Sequence, residues 1–555
     1  MRDILKIPAS IVAMVVYIGL AIIGVEKAKG QTLTLEDKEQ VLVCQPLTLW
    51  EKLQQSEKQS IIKTDVAPEP LGVVPASVGV GGDITIKPSR TQCYAPCGVH
   101  FTAESPNRLF RTFTWDFADK GSVFRSTGKS SNSAIGFHVG HVFGKSGNYE
   151  VSVKDGNDVA KVWITVEDYK GKTYCVNCDQ GERVSSFEEG LGRIQRARTG
   201  RLLLLDNTTH KLDSDTPINR AKDVVIGSTG LATVVIDNPI GSALSFSRSE
   251  NVTVYGIVFK GNYSPVTGKG STWSTDGVTT FNVSDLTVYR SSFIGLNKGV
   301  FTTSGLNTVI ADNFSTNWHD YGVYAQHYDE SKDGKLTEFE KGANFIVAGN
   351  DFQQNPQAVS GGGGKRGGEP RWADHSSFRQ QWSANTGIHQ NVFTSTTGWS
   401  SDGKGHNPPL RFHQGGDSGF SGSITENQLN GGFVILSAAT MNRQTIAGKG
   451  ELLIEKNTLK ASSNTIYGLR LSYSESVVRD NTFLNDQESK SQLLPFHYFV
   501  ELDYGTLTDD NVKGKKVFSG NVFKLNLPSV PVPFKDFGES YDKTNGEGLK
   551  SVIIE

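Results

Sequence analysis

Asn344-Phe-Ile-Val-Ala-Gly-Asn350-Asp-Phe352 joins an alternating apolar segment to a short phrase, Asn-x-Phe or Asn-x-Leu, and both recur along the chain. The phrase returns at Asn391/Phe393, Asn427/Leu429, Asn457/Leu459, Asn481/Phe483 and Asn521/Phe523, and earlier variants end at Phe259, Phe293 and Phe314. Intervals as short as 21 residues, Phe293 to Phe314, and 24 residues, Leu459 to Phe483, mark stacked structural units. Longer intervals read as the same unit with a loop let out. The segments before the phrase, such as Thr308-Val-Ile-Ala311 and Ser476-Val-Val-Arg479, alternate with period two, which means strand. Strands and turns at this period predict an all-β fold, a right-handed parallel β-helix whose coils bury an apolar column and stack like residues in ladders. Each repeated Asn amide is expected to bond its neighbour on the next coil. Nine occurrences over 265 residues are hard to place in an ordinary β-sandwich.

Composition fits an extracellular β protein. The 555 residues include 60 Gly, 29 Phe and only 3 Met, and 56 basic residues nearly balance 58 acidic ones. A chain so close to neutral carries no signature of a nucleic-acid binder. Its length leaves room for two or three domains.

Residues 1–30 combine a basic start, the uncharged run Ile7 to Val25, and small residues at Ala28 and Gly30. This is an export signal, cleaved after Gly30, or an uncleaved anchor, since the run is just long enough to span a bilayer. Either reading places the bulk of the chain at the cell surface or outside it. Residues 31–78 are polar and contain Pro, and read as a tether.

From 79 to 169 short strands carry Cys93-Tyr-Ala-Pro-Cys97, Thr114-Trp115-Asp116-Phe117, His141-Val-Phe143 and Gly147-Asn-Tyr149. In this order they resemble the PKD domain, an immunoglobulin-like β-sandwich, with Ala118 where the family usually has Gly. The resemblance implies that Trp115 and Phe117 fill the space between two sheets and that Tyr149 pins a corner. It implies a spacer or carbohydrate-binding module rather than a catalytic unit. The cysteines are Cys44, Cys93, Cys97, Cys175 and Cys178; in an exported chain two disulfides are favoured over zinc, with the pairing left open. After a linker at 170–184, Ser185 to Arg198 places Phe187, Leu191 and Ile194 at helical spacing. A short helix ahead of a first apolar strand resembles the way pectin lyase-like β-helices close their N-terminal end. That resemblance covers 185–527, followed by a tail at 528–555.

A second strand follows the turn in many coils. Aligned on Val300, Val323, Leu410, Val434 and Leu469 as inward residues, these strands turn Phe301, Tyr324, Arg411, Ile435 and Arg470 outward. Two residues on, a second outward column reads Thr303, Gln326, His413, Ser437 and Ser472. With coils roughly 4.8 Å apart, Arg411 and Arg470 fall about 10 Å from each other. Such a pair suits successive anionic groups of a polysaccharide, since Arg binds oxyanions through two donors. Lys404 and His406 precede this face, and the Gly-rich insertion 360–379 carries Arg379; it lacks the ending of a phosphate loop and reads as a basic flap. Gln326, Lys404, His406, Arg379 and Arg470 are therefore candidate substrate contacts.

Asp329-Glu-Ser331-Lys-Asp333-Gly-Lys335-Leu-Thr337-Glu-Phe-Glu340 resembles an EF-hand loop. The resemblance implies Ca2+ held by Asp329, Ser331, Asp333, the carbonyl of Lys335, Thr337 and bidentate Glu340. The favoured activity is cleavage of an acidic polysaccharide by β-elimination. Arg411 or Ca2+ would neutralise the uronate, His413 or His319 take the C5 proton, and Tyr324 act as the acid. A glycoside hydrolase on the same fold needs two carboxylates, for which Asp320, Asp402 and Asp417 are available outside the columns. A non-enzymatic adhesin or polysaccharide-binding protein is the third reading, and fold does not decide among them.

Overall fold

The computed structural model describes residues 80–267, 269–326, 344–354, 363–366, 369–371, 377–381, 385–394, 410–413, 420–430, 433–436, 450–460, 467–471, 475–485, 498–502, 516–525, 534–536 and 552–554. Residues 1–30, the tether 31–78 and the candidate calcium loop 329–340 lie outside them. Nearly all regular structure is β. Among the described residues no helix is long and apolar enough to cross a membrane.

From Thr173 onward the ladders that link successive coils are parallel; the short pair Gly363–Arg366 and Glu369–Arg371 is antiparallel. Each coil gives a strand to a first ladder, turns, gives a short strand to a second, and then gives a third strand to a separate sheet. The first two ladders join into one sheet of 23 strands, and the third forms a sheet of 11. The chain is thus a β-solenoid, built on the Asn phrase. The Nδ2 of Asn313 donates to Asn350 Oδ1 at 2.9 Å, Asn350 to Asn391 at 2.9 Å, Asn391 to Asn427 at 2.9 Å, Asn427 to Asn457 at 3.0 Å, Asn457 to Asn481 at 3.0 Å and Asn481 to Asn521 at 3.0 Å. Each amide also donates to a backbone carbonyl, as Asn391 does to Val347 O at 2.8 Å. Buried polar groups are tolerated only when satisfied in this way.

Inside the coils, Phe259, Phe293, Phe352, Phe393, Leu429, Leu459 and Phe483 form one buried column. Phe314 is not part of it. Phe293 pairs with Ser315, which pairs with Phe352, so the true period here is 22 rather than 21. Ser315 is buried and its Oγ has no hydrogen-bond partner. The helix Phe187–Ala197 buries Phe187, Leu191 and Ile194 against the first coils. It is started by Ser186, whose side chain accepts from Glu189 N, while the Glu189 carboxylate accepts from Ser185 N and Oγ. Those bonds favour the charged form and hold Glu189 at about 2.

Residues 80–167 form a four-stranded and a five-stranded sheet around a common core. Trp115 and Phe117 are buried between them, and Tyr149 Oη donates to Lys145 O at 2.9 Å. Disulfides join Cys93 to Cys97 and Cys175 to Cys178. This unit packs flat on the outer face of the first ladder. Its core is continuous with Leu453, Val477 and Val517 of the solenoid, while Val142 and Phe124 meet Val309, Ile346 and Ala348. That is why Thr308–Ala311 is buried at every position instead of alternating: both faces of the ladder are covered.

Candidate active site

The third sheet opens three successive strands with the same local pattern, Asp276-Gly-Val, Lys298-Gly-Val and Tyr321-Gly-Val. A Cβ on Gly277 would lie 2.5 Å from Gly299 O, and one on Gly299 would lie 2.5 Å from Gly322 O. Only glycine allows coils to approach so closely here. The residues just before these glycines are thereby brought together on neighbouring coils.

Lys298 Nζ lies 3.5 Å from Asp276 Oδ1 and 3.5 Å from Asp320 Oδ2. The Lys298 and Asp276 side chains are 12% and 11% exposed, that of Asp320 29%. Burial works against the ammonium, but the two carboxylates outweigh it and raise the Lys298 pKa. Lys298 is therefore a fixed cation. Its ammonium sits 5.1 Å over the Phe301 ring. Phe301 stacks on Tyr324 at 5.2 Å and 6°, and Tyr321 lies 4.9 Å from Tyr324. On the other side of Asp276, Asn297 Nδ2 donates to Asp276 Oδ1 at 2.8 Å, while His319 Nδ1 is 3.2 Å from Asn297 Oδ1. An amide oxygen only accepts, so His319 carries its proton on Nδ1. Trp273 and Tyr263 meet the His319 ring at 5.4 and 5.2 Å.

Of the residues expected to be functional from sequence, His319 and Tyr324 belong to this cluster, Tyr324 through Phe301 and His319 through Asn297. The other expectations divide. Pairing runs Phe301, Tyr324, Arg379, Arg411, Val434, Arg470, so Arg379 lies in a strand, Phe378–Gln381, rather than in a flap. Phe433, not Val434, occupies the position that pairs with Leu410 and Leu469. The expected register of that strand was one residue off, because Phe433 and Val434 are both apolar and the alternation cannot tell them apart. Ile435 accordingly leaves the first column, while Ser437 and Ser472 lie outside the described residues. The second column reads Thr303, Gln326, Gln381, His413, Leu436. Thr303 is buried and Gln326 partly exposed. Lys404, His406, Asp402 and Asp417 lie outside the described residues, as do Asp329, Ser331, Asp333, Lys335, Thr337 and Glu340. Among the described residues no cluster of His, Cys, Asp or Glu could hold a metal.

Sequence reasoning missed Asp276, Asn297, Lys298 and Trp273. The repeated Gly-Val preceded by Asp, Lys and Tyr was the available signal.

No family model matches the sequence, and no curated protein matches it. Among solved structures the chain is similar to the catalytic domain of a GH87 α-1,3-glucanase bound to nigerose, at 10% identity and TM-score 0.37, over 85% of this chain and 91% of that one. It is similar to an alginate lyase from Paenibacillus sp. str. FPU-7, at 13% identity and TM-score 0.34, over 63% of this chain and 95% of that one. A periplasmic alginate epimerase matches at 10% identity and TM-score 0.30, over 64% of this chain and 78% of that one. These are distant likenesses to carbohydrate-active enzymes.

Proposed function

We propose that the protein is an exported glycoside hydrolase acting on a polysaccharide laid along the third sheet of a right-handed β-helix, with a PKD-like sandwich docked on its flank. The observation that carries this reading is the single ammonium of Lys298 between the carboxylates of Asp276 and Asp320. Two contacts of this length put one oxygen of each carboxylate at most about 7 Å apart, an upper limit compatible with the carboxylate separations of glycosidic hydrolysis. The aromatic stack of Phe301 and Tyr324 beside them offers a face for a sugar ring.

In this mechanism Asp276, held by Asn297 and Lys298, removes a proton from water. The hydroxyl bonds to the anomeric carbon as the glycosidic C–O bond breaks, and the departing oxygen takes its proton from Asp320, the more exposed of the two, which has to enter this step as the protonated acid. Lys298 stabilises the negative charge left on Asp320.

β-Elimination is the second reading, favoured by the pairing of Tyr324 with Arg379 and of Arg379 with Arg411. Tyr324 would then be the acid, His319 or His413 the base, and Arg411, Lys298 or loop-bound Ca2+ the uronate partner, with Arg470 further along the column. Incubation of the purified chain with α-1,3-glucan, polygalacturonate and alginate separates the two. Hydrolysis gives new reducing ends without ultraviolet absorbance from an unsaturated uronate; appearance of that absorbance overturns the hydrolase reading.

A further inference from the structure

In one coil the connection from the second ladder to the third sheet is expanded. Lys260 and Asp276 are joined by residues 261–275, whereas the next coil needs only 295–297 between Ile294 and Lys298. The expansion is tightly anchored. Thr272 is fully buried, and its Oγ1 accepts from Asn262 N at 2.8 Å and Tyr263 N at 3.0 Å while donating to Gly295 O at 2.7 Å. Ser271 Oγ donates to Asp237 O at 2.6 Å. Gly270, at φ 124, comes so near Asn262 that a Cβ would lie 2.3 Å from its carbonyl oxygen.

The next residue in this rigid turn is Trp273, and it is 49% exposed. Its position is specific, since it meets His319, which bonds Asn297, which bonds Asp276. An indole beside polar groups and a carboxylate suits a pyranose ring, whose C–H face packs on the π surface while its hydroxyls reach the polar neighbours. A backbone fixed in advance avoids paying ordering entropy on binding.

We infer that Trp273, backed by Tyr263 and His319, is a sugar-stacking subsite for a pyranose unit of the same glycan chain that reaches Asp276 and Asp320. This rests on the reading of the site as polysaccharide-acting, and it adds a binding position that chain must cross. Lys298 and Phe301 are not part of it.

The test uses the whole chain carrying Asp320→Asn, so that binding is read without turnover. Tetrasaccharides of α-1,3-glucan, alginate and polygalacturonate are titrated in turn by calorimetry and by tryptophan fluorescence. The inference expects at least one to bind, Trp273→Ala to weaken that binding by about ten-fold or more, and Trp273→Phe to recover most of it. Trp163→Ala, which removes an indole 56% exposed on the N-terminal sandwich, should change nothing. In the parent chain, with Asp320 intact and turnover measurable, Trp273→Ala should raise KM more than it lowers kcat. Unchanged affinity in Trp273→Ala, an equal loss in Trp163→Ala, or no binding of any probe overturns the subsite. Binding lost on Trp273→Ala in a chain that cleaves none of the glycans supports the subsite while removing the hydrolase reading.

Discussion

The backbone amide of Gly98 donates to Thr287 Oγ1 at 3.0 Å across 189 residues of sequence, tying the N-terminal sandwich to the first ladder of the solenoid. The contact is possible because both partners are small at that point. A Cβ on Gly98 would lie 2.7 Å from Thr287 Oγ1, and one on Gly140 would lie 2.6 Å from Ile346 Cγ2.

Gly140→Val should therefore wedge the sandwich off the ladder and destabilise the protein by about 1–3 kcal/mol. Urea unfolding of the variant against the parent measures this. An unchanged midpoint would show that the interface contributes little.

The Asn ladder predicts a larger effect for a small change. Asn391 accepts from Asn350 N and Nδ2 and donates to Val347 O, His389 O and Asn427 Oδ1. Asn391→Ala strands several buried polar groups at once, and each costs about 1–3 kcal/mol when left unpaired. The expected loss is on the order of 4 kcal/mol, read by chemical denaturation.

Acid should weaken the same interface. His138 bonds Ser421 and Thr102, and His389 bonds Gly140 O at 3.1 Å. Burial lowers His100 to about 3 and His389 to about 4, with Lys129 and His141 adding to the shift of His389. Burial, then His100 and Arg108, keep His138 well below its ordinary value. The unfolded chain protonates these rings near pH 6.5 while the folded one does not. Stability is full above that pH and falls as pH drops toward 4, by about 1.4 kcal/mol per unit for each ring. Unfolding midpoints at neutral pH and at pH near 5 check the sign.

Much of the fold is legible in the sequence because the Asn phrase must satisfy a buried amide at every coil. The same rule explains why register slipped at Phe314 and Phe433. At Phe314 the local Asn-Phe pair imitates the phrase although Ser315 takes the column position, and at Phe433 two apolar residues stand side by side. The packing of residues 80–167 on the ladder could not be read, since an apolar outer face looks the same as an imperfect alternation. Asp276, Lys298 and Asp320 belong to three coils and meet only once the register is known to the residue.

Lys298 is also expected to matter to the proposed chemistry. Lys298→Met removes the ammonium that lies between Asp276 and Asp320, so kcat should fall by about 10²-fold in a variant whose unfolding midpoint matches the parent's; a kcat equal to the parent's would mean that Lys298 does not face the reacting acid.

The most direct measurement is the rate of new reducing ends from α-1,3-glucan, polygalacturonate and alginate for the parent, Asp276→Asn and Asp320→Asn, with the unfolding midpoint of each confirming an intact fold. The carboxylate-pair account predicts cleavage of at least one glycan by the parent and a loss of about 10²-fold to 10⁴-fold in each variant. Cleavage that survives both substitutions, or product that absorbs as an unsaturated uronate, would contradict it.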